Sequence, residues 1–567
     1  MKKLLLLSFS FCCSTLFAQV TNEGTPASWN LPQQKVSYAP IEMPKVDLVS
    51  LYVQDQVNDK IKSKPYRIGV PMEVDFGLQN AGFWTSLPNG DRIWRIFIES
   101  TDAVHLSFNL DEFYLPEGGK IYLYTDDRSD LLGAYTATQN NQNNQLGTWF
   151  VNGDKVWIEY LEPADVIGEG RLHIESVIHG YRMGHTVQKS YGGITKLNES
   201  DDCQHDVDCP VGSDFDNIKD EVKKSVAFLN LGNGYICSGG LVNNTAQDKK
   251  PYFLSADHCY TDPDGVDSNP ALYSMRFNWI SPNPVCAQTT NSTSSIVNQT
   301  ISGATLRARN ANSDFMLVEL NNSIDLSWDV TYAGWDRTDT DPTFSVGIHH
   351  PKGDIMKISR DNESAYKSDN SGTKYWVIGG VNDNVAFGGL GGFGLGGGWE
   401  IGSTEGGSSG SPLFNQDGLV IGQLYGGASE CQNLIDNDNY DVYGRFAASW
   451  DDGDSAGNRL KDWLDPGNTG QTTLPLLKST LAVADEQLNR DITVYPNPST
   501  GMVSVEIKNS LGAYEYELFN VLGQSLQKNT LTNNRINLST LPSAFYYLKI
   551  VEKESSKFAV KKIIINK

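Results

Sequence analysis

The 567-residue chain is short of positive charge, of long apolar runs and, outside one stretch, of cysteine. Lys and Arg number 45 against 68 Asp and Glu, for a net charge of −23. That deficit argues against nucleic acid as a partner and against non-specific binding to anionic membranes, because both need cationic patches. An acidic surface can attract basic substrates, but solubility is the plainer reading. Beyond the first twenty residues no apolar run reaches the roughly 20 residues of a spanning helix, so no membrane span is expected in the mature form. No close CxxC pair occurs, which speaks against zinc. Neither a metal nor a cofactor is expected, and a monomer is.

What is present begins with an export signal. Lys2 and Lys3 precede an apolar stretch, residues 4–17, and Ala18-Gln19 offers a cleavage point, so residues 1–18 read as a signal peptide. Cys12 and Cys13 fall inside it, outside the small-residue setting of a lipoprotein anchor. The other six cysteines, Cys203, Cys209, Cys237, Cys259, Cys286 and Cys431, suggest three disulfides in an exported chain. Their confinement to one stretch marks a central domain built to survive outside the cell. Spacing alone leaves fifteen pairings open.

Residues 19–196 show little helical periodicity. Residues 94–98, 104–108, 120–124 and 156–160 alternate as half-buried strands do, with turns such as Pro116-Glu117-Gly118-Gly119 and Asn152-Gly153-Asp154 between. A β-sandwich or jelly roll is expected. Residues 197–475 hold the cysteines and the chemistry. Within them the glycine run 388–398 reads as a mobile surface loop. Residues 455–464 read as a closing helix with Leu460, Trp463 and Leu464 on one face, stopped by Pro466-Gly467. Residues 476–490 read as a linker and 491–567 as a small β module.

The chemistry centres on Gly407-Ser408-Ser409-Gly410-Ser411-Pro412. A serine in a glycine-rich turn can be held exposed with backbone N–H groups aimed beside its hydroxyl, which suits a nucleophile with an oxyanion hole. A serine needs a base, and a histidine titrates near neutrality. His258, after Leu254-Ser255-Ala256-Asp257, is the candidate base, and Asp314 the carboxylate that orients it. Gly407 and Ser409 would supply the oxyanion N–H groups. Singly these could be a turn serine, a core or surface histidine and a strand-end cap. Together, in the order His, Asp, Ser, they are the order of chymotrypsin-like proteases.

On the stretches 203–210, 237–244, 251–259, 347–354 and 443–446, together with the Ser409 turn, the chain resembles the lysyl endopeptidases, secreted members of the trypsin-like superfamily. The resemblance implies a mostly β fold, a trypsin-like double β-barrel between a β-rich propeptide and a C-terminal β-sandwich. It also implies the pairs Cys203–Cys431, Cys209–Cys286 and Cys237–Cys259. Ser408 stands where trypsins place the Asp that captures a new N-terminus, so activation is expected to depend on removing the N-terminal domain. The family's pocket acid precedes Tyr-Gly-Arg/Lys, a position Asp441 holds here. Asp441 is therefore preferred as the carboxylate that pairs with a substrate lysine, with Asp436 and Asp438 competing for that role and a solvated loop acid the alternative reading of Asp441. Tyr425 stands where the family often has histidine. Gly426 and Gly427 would bond an extended substrate as an added strand. Trp376 and Trp399 are candidates for the pocket wall, with core packing preferred for each. His349-His350 read as structural, since adjacent strand residues face opposite ways.

The N-terminal domain resembles the propeptides of such proteases and would assist folding or block the cleft. Lys189 and Lys196 offer self-cleavage sites, Lys196 being preferred. Tyr495-Pro496-Asn497-Pro498, Val521-Leu522-Gly523 and the basic end resemble the type A sorting domain of type IX secretion. The expected product is a secreted or cell-surface serine endopeptidase of a Gram-negative bacterium, exported through the periplasm. It would cleave protein or peptide substrates after lysine and meet the type IX machinery. Broader Lys/Arg cleavage, and a non-catalytic protease-like surface binding protein, are the alternatives.

Overall fold

The structure is a computed structural model and describes residues 24–31, 38–183, 200–288, 292–293, 299–368, 374–379, 397–479, 486–508, 513–520, 525–532, 534–553 and 558–567. The signal segment, Lys189, Lys196, most of the run 388–398, residues 480–485 of the linker and Val521-Leu522-Gly523 lie outside the described residues. The chain divides into two compact units, residues 1–479 and 480–567.

The first unit opens with two sheets. One runs Ile41–Glu42, Arg92–Glu99, Lys155–Glu162, Lys120–Thr125, Leu131–Tyr135, with Phe83–Ser86 also on Arg92–Glu99. The other runs Val151–Asn152, His105–Tyr114, Arg171–Gly180, Gly69–Gly77. Period-two alternation turns Trp94, Ile96 and Ile98 of the first sheet toward Phe108, Leu172 and Ile174 of the second, in one apolar layer. The result is a β-sandwich. The far face of the first sheet is also covered. There Phe97, Tyr122, Tyr124 and Trp157 lie under Trp29, Tyr38 and Phe83.

Two larger sheets follow. The first has the order Gln299–Ser302, Ser274–Phe277, Val226–Asn230, Tyr235–Leu241, Tyr252–Ala256, Phe315–Leu320, Ala304–Asn310. The second has the order His205–Asp206, Lys357–Asp361, Ser345–His349, Pro412–Phe414, Val420–Gly427, Asp441–Arg445, Tyr375–Ile378, Tyr366–Ser368. Alternation again assigns the faces. Leu229, Phe253, Met275 and Val318 fill a core inside the first sheet. Leu254, Phe315 and Leu317 turn the other way and pack with Val346, Ile348, Phe414 and Val420 of the second. Trp376, Leu413, Leu424 and Tyr443 fill the second sheet's own core. Two antiparallel β-sheets, each with its own core and sharing a third, are the trypsin-like arrangement, in which the site lies between them. Disulfides close Cys203–Cys431, Cys209–Cys286 and Cys237–Cys259.

The helical spacing over 455–464 yields helix only at Lys461–Leu464, and a separate helix, Phe446–Asp451, precedes it. Between them Asn458 accepts from Ser455 N–H at 2.9 Å and donates to Asp454 at 2.7 Å. Such side-chain bonds compete with the helical ladder and stop it from starting earlier.

The second unit is a small sandwich. Ile492–Tyr495, Met502–Ile507 and Arg535–Asn537 form one sheet, and Ser525–Thr530, Tyr514–Phe519, Ala544–Glu552 and Phe558–Ile565 the other. Val503, Val505, Leu518, Leu548 and Ile550 fill its core.

Candidate active site

The turn bearing Ser409 is held from several directions. Ser238 N–H donates to Ser409 O at 2.8 Å, Gly410 N–H to Leu424 O at 2.8 Å, and Ser238 Oγ to Gly407 O at 2.9 Å. Gly407 adopts φ 91°, a left-handed conformation that favours glycine. Ser408 is tied separately. Its Oγ lies 2.8 Å from His349 Nδ1 and accepts from Glu405 N–H at 3.2 Å. His349 Nε2 lies 3.0 Å from Ser359 Oγ, which donates its single proton to Ser403 O at 3.1 Å. Burial pushes the His349 imidazole down to about 3, so it is neutral. The bonds then all close in one tautomer: Nε2–H donates to Ser359, and Nδ1 accepts from Ser408. Where trypsins use an ion pair, this turn is held by a chain of neutral hydrogen bonds.

His258 sits in the helical turn Asp257–Cys259 directly after the strand Tyr252–Ala256, and the Cys237–Cys259 disulfide pins that turn. Its Nδ1 lies 2.9 Å from Asp314 Oδ2, and its N–H donates to Asp314 Oδ1 at 2.9 Å. Asp314 is buried at φ 51°, a left-handed position that Asp tolerates better than most residues. Gln423 holds the adjoining backbone by donating to Ser313 O at 2.7 Å. Burial raises the Asp314 carboxyl, opposed by His258. With Asp314 ionised, Nδ1 is the donor and the lone pair stands on Nε2. Among the described residues that Nε2 has no hydrogen-bond partner. Ser409 Oγ instead donates to Lys62 O at 3.0 Å.

Lys62 lies between the helix Leu48–Asn58 and the strand Tyr66–Arg67, within the N-terminal part, and its side chain runs to Asp441. Asp441 is fully buried, and its Oδ2 accepts from Trp399 Nε1 at 2.7 Å, Thr404 Oγ1 at 2.7 Å and Ser429 Oγ at 2.6 Å. Its Oδ1 faces Lys62 Nζ at 3.3 Å. The same ammonium donates to Thr404 Oγ1 at 3.1 Å, to Ser429 Oγ at 2.8 Å and to Ser429 O. Burial lowers the Lys62 ammonium, with Asp441 the main opposing charge. A Cβ on Gly426 would stand 2.9 Å from Ser63 N, and one on Gly427 2.3 Å from Asp441 Oδ1. The glycine pair thus leaves room for a chain to pass and for the carboxylate behind it.

Glu405, four residues before Ser409, is also buried. It accepts from Asp201 N–H at 3.1 Å and lies 3.5 Å from Lys352 Nζ. Burial pushes its carboxyl up to about 7, against the pull of Lys352. A carboxyl raised in the folded state adds stability that is full below its ordinary pKa, near 4.5, and is lost as pH rises through about 7. The loss is on the order of 3 kcal/mol. Glu405→Gln should abolish this pH dependence. In urea melts of an inactive chain at pH 4.5 and 8, the parent should lose more stability between the two than the variant does. Equal pH dependence would remove Glu405 as its source.

Asp436 has φ 57° and its N–H donates to Glu400 O, while Asp438 pairs in a short strand with Gly398. Asp441 is the acid that meets the ammonium. Trp399 lies against that acid and also in the core, so core packing was an incomplete reading of it. Trp376 is core, donating to Ile421 O at 3.0 Å. Tyr425 meets the His258 ring edge-on at 5.8 Å and stacks on Tyr375. Sequence reasoning missed Thr404, Ser429, Glu405 and Lys62. For Lys62 the one available signal was the spacing Lys60-Ile61-Lys62-Ser63-Lys64 in an otherwise acidic chain.

Residues 197–444 match the family model of the lysyl endopeptidase C-terminal domain, and residues 493–566 that of the secretion system C-terminal sorting domain. A lysyl endopeptidase of Pseudomonas aeruginosa strain PAO1 is 26% identical over 391 residues, which cover 64% of this chain and 76% of that protein. Among solved structures, the inactive Ser343Ala mutant of Rv3671c from M. tuberculosis H37Rv overlaps 40% of this chain and 82% of its own at 11% identity and a TM-score of 0.23. Deg5 overlaps 40% and 87% at 11% and 0.21. The match of residues 197–444 to a lysyl endopeptidase domain and of residues 493–566 to a secretion sorting domain, on a double-sheet fold closed by three disulfides, makes the chain a serine protease carried by type IX secretion to the cell exterior or surface.

Proposed function

We propose that the protein is an endopeptidase that hydrolyses peptide bonds on the carboxyl side of lysine. Ser409 Oγ attacks the carbonyl carbon as His258 Nε2 takes its proton, and Asp314 stabilises the resulting imidazolium. The N–H groups of Gly407 and Ser409 receive the oxyanion, where loss of one donor typically costs roughly 100–1000-fold in rate. Collapse expels the amine, protonated by His258, and leaves an acyl-enzyme on Ser409. Water, deprotonated by His258, then releases the acid and restores the serine.

The observation that carries the substrate choice is Lys62, whose ammonium lies against Asp441 while its carbonyl meets Ser409 Oγ. Asp441, Thr404 and Ser429 direct their oxygens at a single nitrogen. That suits a compact ammonium with three donors rather than the wide planar fork of arginine. The test is to digest a denatured protein mixture with the activated enzyme and sequence the product ends. Lysine is expected at nearly every new C-terminus. Comparable cleavage after arginine, or no common residue, would sink the reading.

A further inference from the structure

Lys62 reaches the pocket at the centre of a turn and not on an extended strand. Lys64 N–H donates to Ile61 O at 3.2 Å, so Ile61 to Lys64 form a β-turn with Lys62 and Ser63 at its centre. Proteases of this fold take their substrates extended, as an added strand. Here, among the described residues, the downstream side alone does so. Tyr66–Arg67 pairs with Tyr235 and Ile236 on the rim of the first large sheet. Ser409 Oγ also donates to the Lys62 carbonyl oxygen at 3.0 Å, while His258 Nε2 has no hydrogen-bond partner among the described residues. Attack requires that proton to move toward His258 Nε2.

The turn is held firmly. Asp55, 1% exposed on the helix Leu48–Asn58, accepts from Arg67 Nε at 2.9 Å and Tyr181 Oη at 2.6 Å, and pairs with Arg182 at 2.7 Å. Arg182 reaches Asp59 as well, at 3.0 Å. Both ends of the turn are thereby anchored to the sandwich, through Tyr181 and Arg182, which follow its last strand. A Cβ on Gly406 would stand 2.6 Å from the Tyr66 ring, so the segment also rests on the nucleophile's own turn.

We propose that the β-turn of Ile61 to Lys64 is a lysine-bearing plug, recognised by the Asp441 pocket but withheld from hydrolysis, and that it makes the N-terminal sandwich an inhibitor of this protease's cleft even after the chain between them is cut. The proposal rests on the reading of Asp441 as the lysine pocket. It adds the identity of the pocket's first occupant and the reason that occupant persists.

Two measurements on the full chain test it. The first is the rate at which a lysyl phosphonate labels the intact precursor band. Lys62→Met keeps the stem and removes the ammonium, and should speed labelling roughly tenfold or more, since loss of a buried charged anchor acts on the off-rate. Lys60→Met and Lys64→Met should label at the parent's rate. Equal rates for Lys62→Met and the parent, or equal acceleration by all three, would overturn the plug. The second needs no variant. Processed wild-type enzyme, still mixed with its released N-terminal part, should gain specific activity on dilution, and activity independent of dilution would overturn inhibition by the cut domain. The two readings fail separately. Cleavage after lysine with no effect of Lys62→Met defeats only the plug, whereas an activated wild-type enzyme that ignores lysine defeats the proposed function.

Discussion

Ser409→Ala is expected to lower turnover by about a millionfold, the scale on which loss of a serine nucleophile removes the whole triad's contribution. His258 and Asp314 would remain paired at 2.9 Å, but no oxygen would be left to accept the acyl group. The substitution deletes one hydroxyl from a residue 1% exposed, and the bonds that hold the turn are made by backbone atoms and by Ser238. Folding and disulfide formation should therefore be preserved. Steady-state assay on a lysyl amide gives the rate, and gel analysis of the secreted chain shows whether the precursor stays uncut near Lys196. A mutant that matures normally would mean that another protease does the cutting. Residual turnover within about a hundredfold of the parent would remove Ser409 as nucleophile.

Asp441→Asn should lower kcat/KM for lysyl substrates by roughly 100–1000-fold, the range expected when one partner of a buried ion pair is removed. Asn keeps the volume but presents an amide in place of four acceptor positions. Trp399, Thr404 and Ser429 all donate to one carboxylate oxygen, so the amide oxygen would be held toward them and the amide N–H groups turned toward the incoming ammonium. A norleucyl substrate, which has the lysine stem without the charge, gives the control. Its kcat/KM should change little, so that the lysyl-to-norleucyl ratio collapses. Asp436→Asn and Asp438→Asn should leave that ratio as it is. An unaltered ratio in Asp441→Asn would mean that lysine is read elsewhere.

Much of the fold was legible because strands such as residues 94–98 and 156–160 place an apolar residue at every second position, although the expected half-burial was wrong: both faces of their sheet are covered, and 156–160 are buried throughout. Ser409, His258 and Asp314 stood out because each carries a chemically unusual setting, and the structure places the last two in contact. The pocket was harder to see. Thr404 and Ser429 are short hydroxyls that look like any turn residue until the carboxylate they serve is located in space. Trp399 hides among core aromatics because only its indole N–H touches Asp441. The helix over 455–464 was overextended because apolar spacing does not report that Asn458 binds Ser455 and Asp454 instead of joining a ladder. Lys62 contacts partners more than 340 positions away, a relation no local pattern contains.

The Asp201–Glu405 bond and the Cys203–Cys431 bridge fasten the start of the protease part to the loops that carry Ser409 and Ser429. A cut anywhere before Ser200 leaves both fastenings in place, so maturation has no need to rebuild the catalytic loop. What changes is molecularity. A plug joined to its cleft by the chain acts at an effective concentration of about a millimolar, and the same plug on a separate molecule acts only at its bulk concentration. In a confined periplasm the two pieces would stay together after cleavage, and outside the cell they would part by diffusion. The enzyme would then sense not the cut itself but the volume it has been released into.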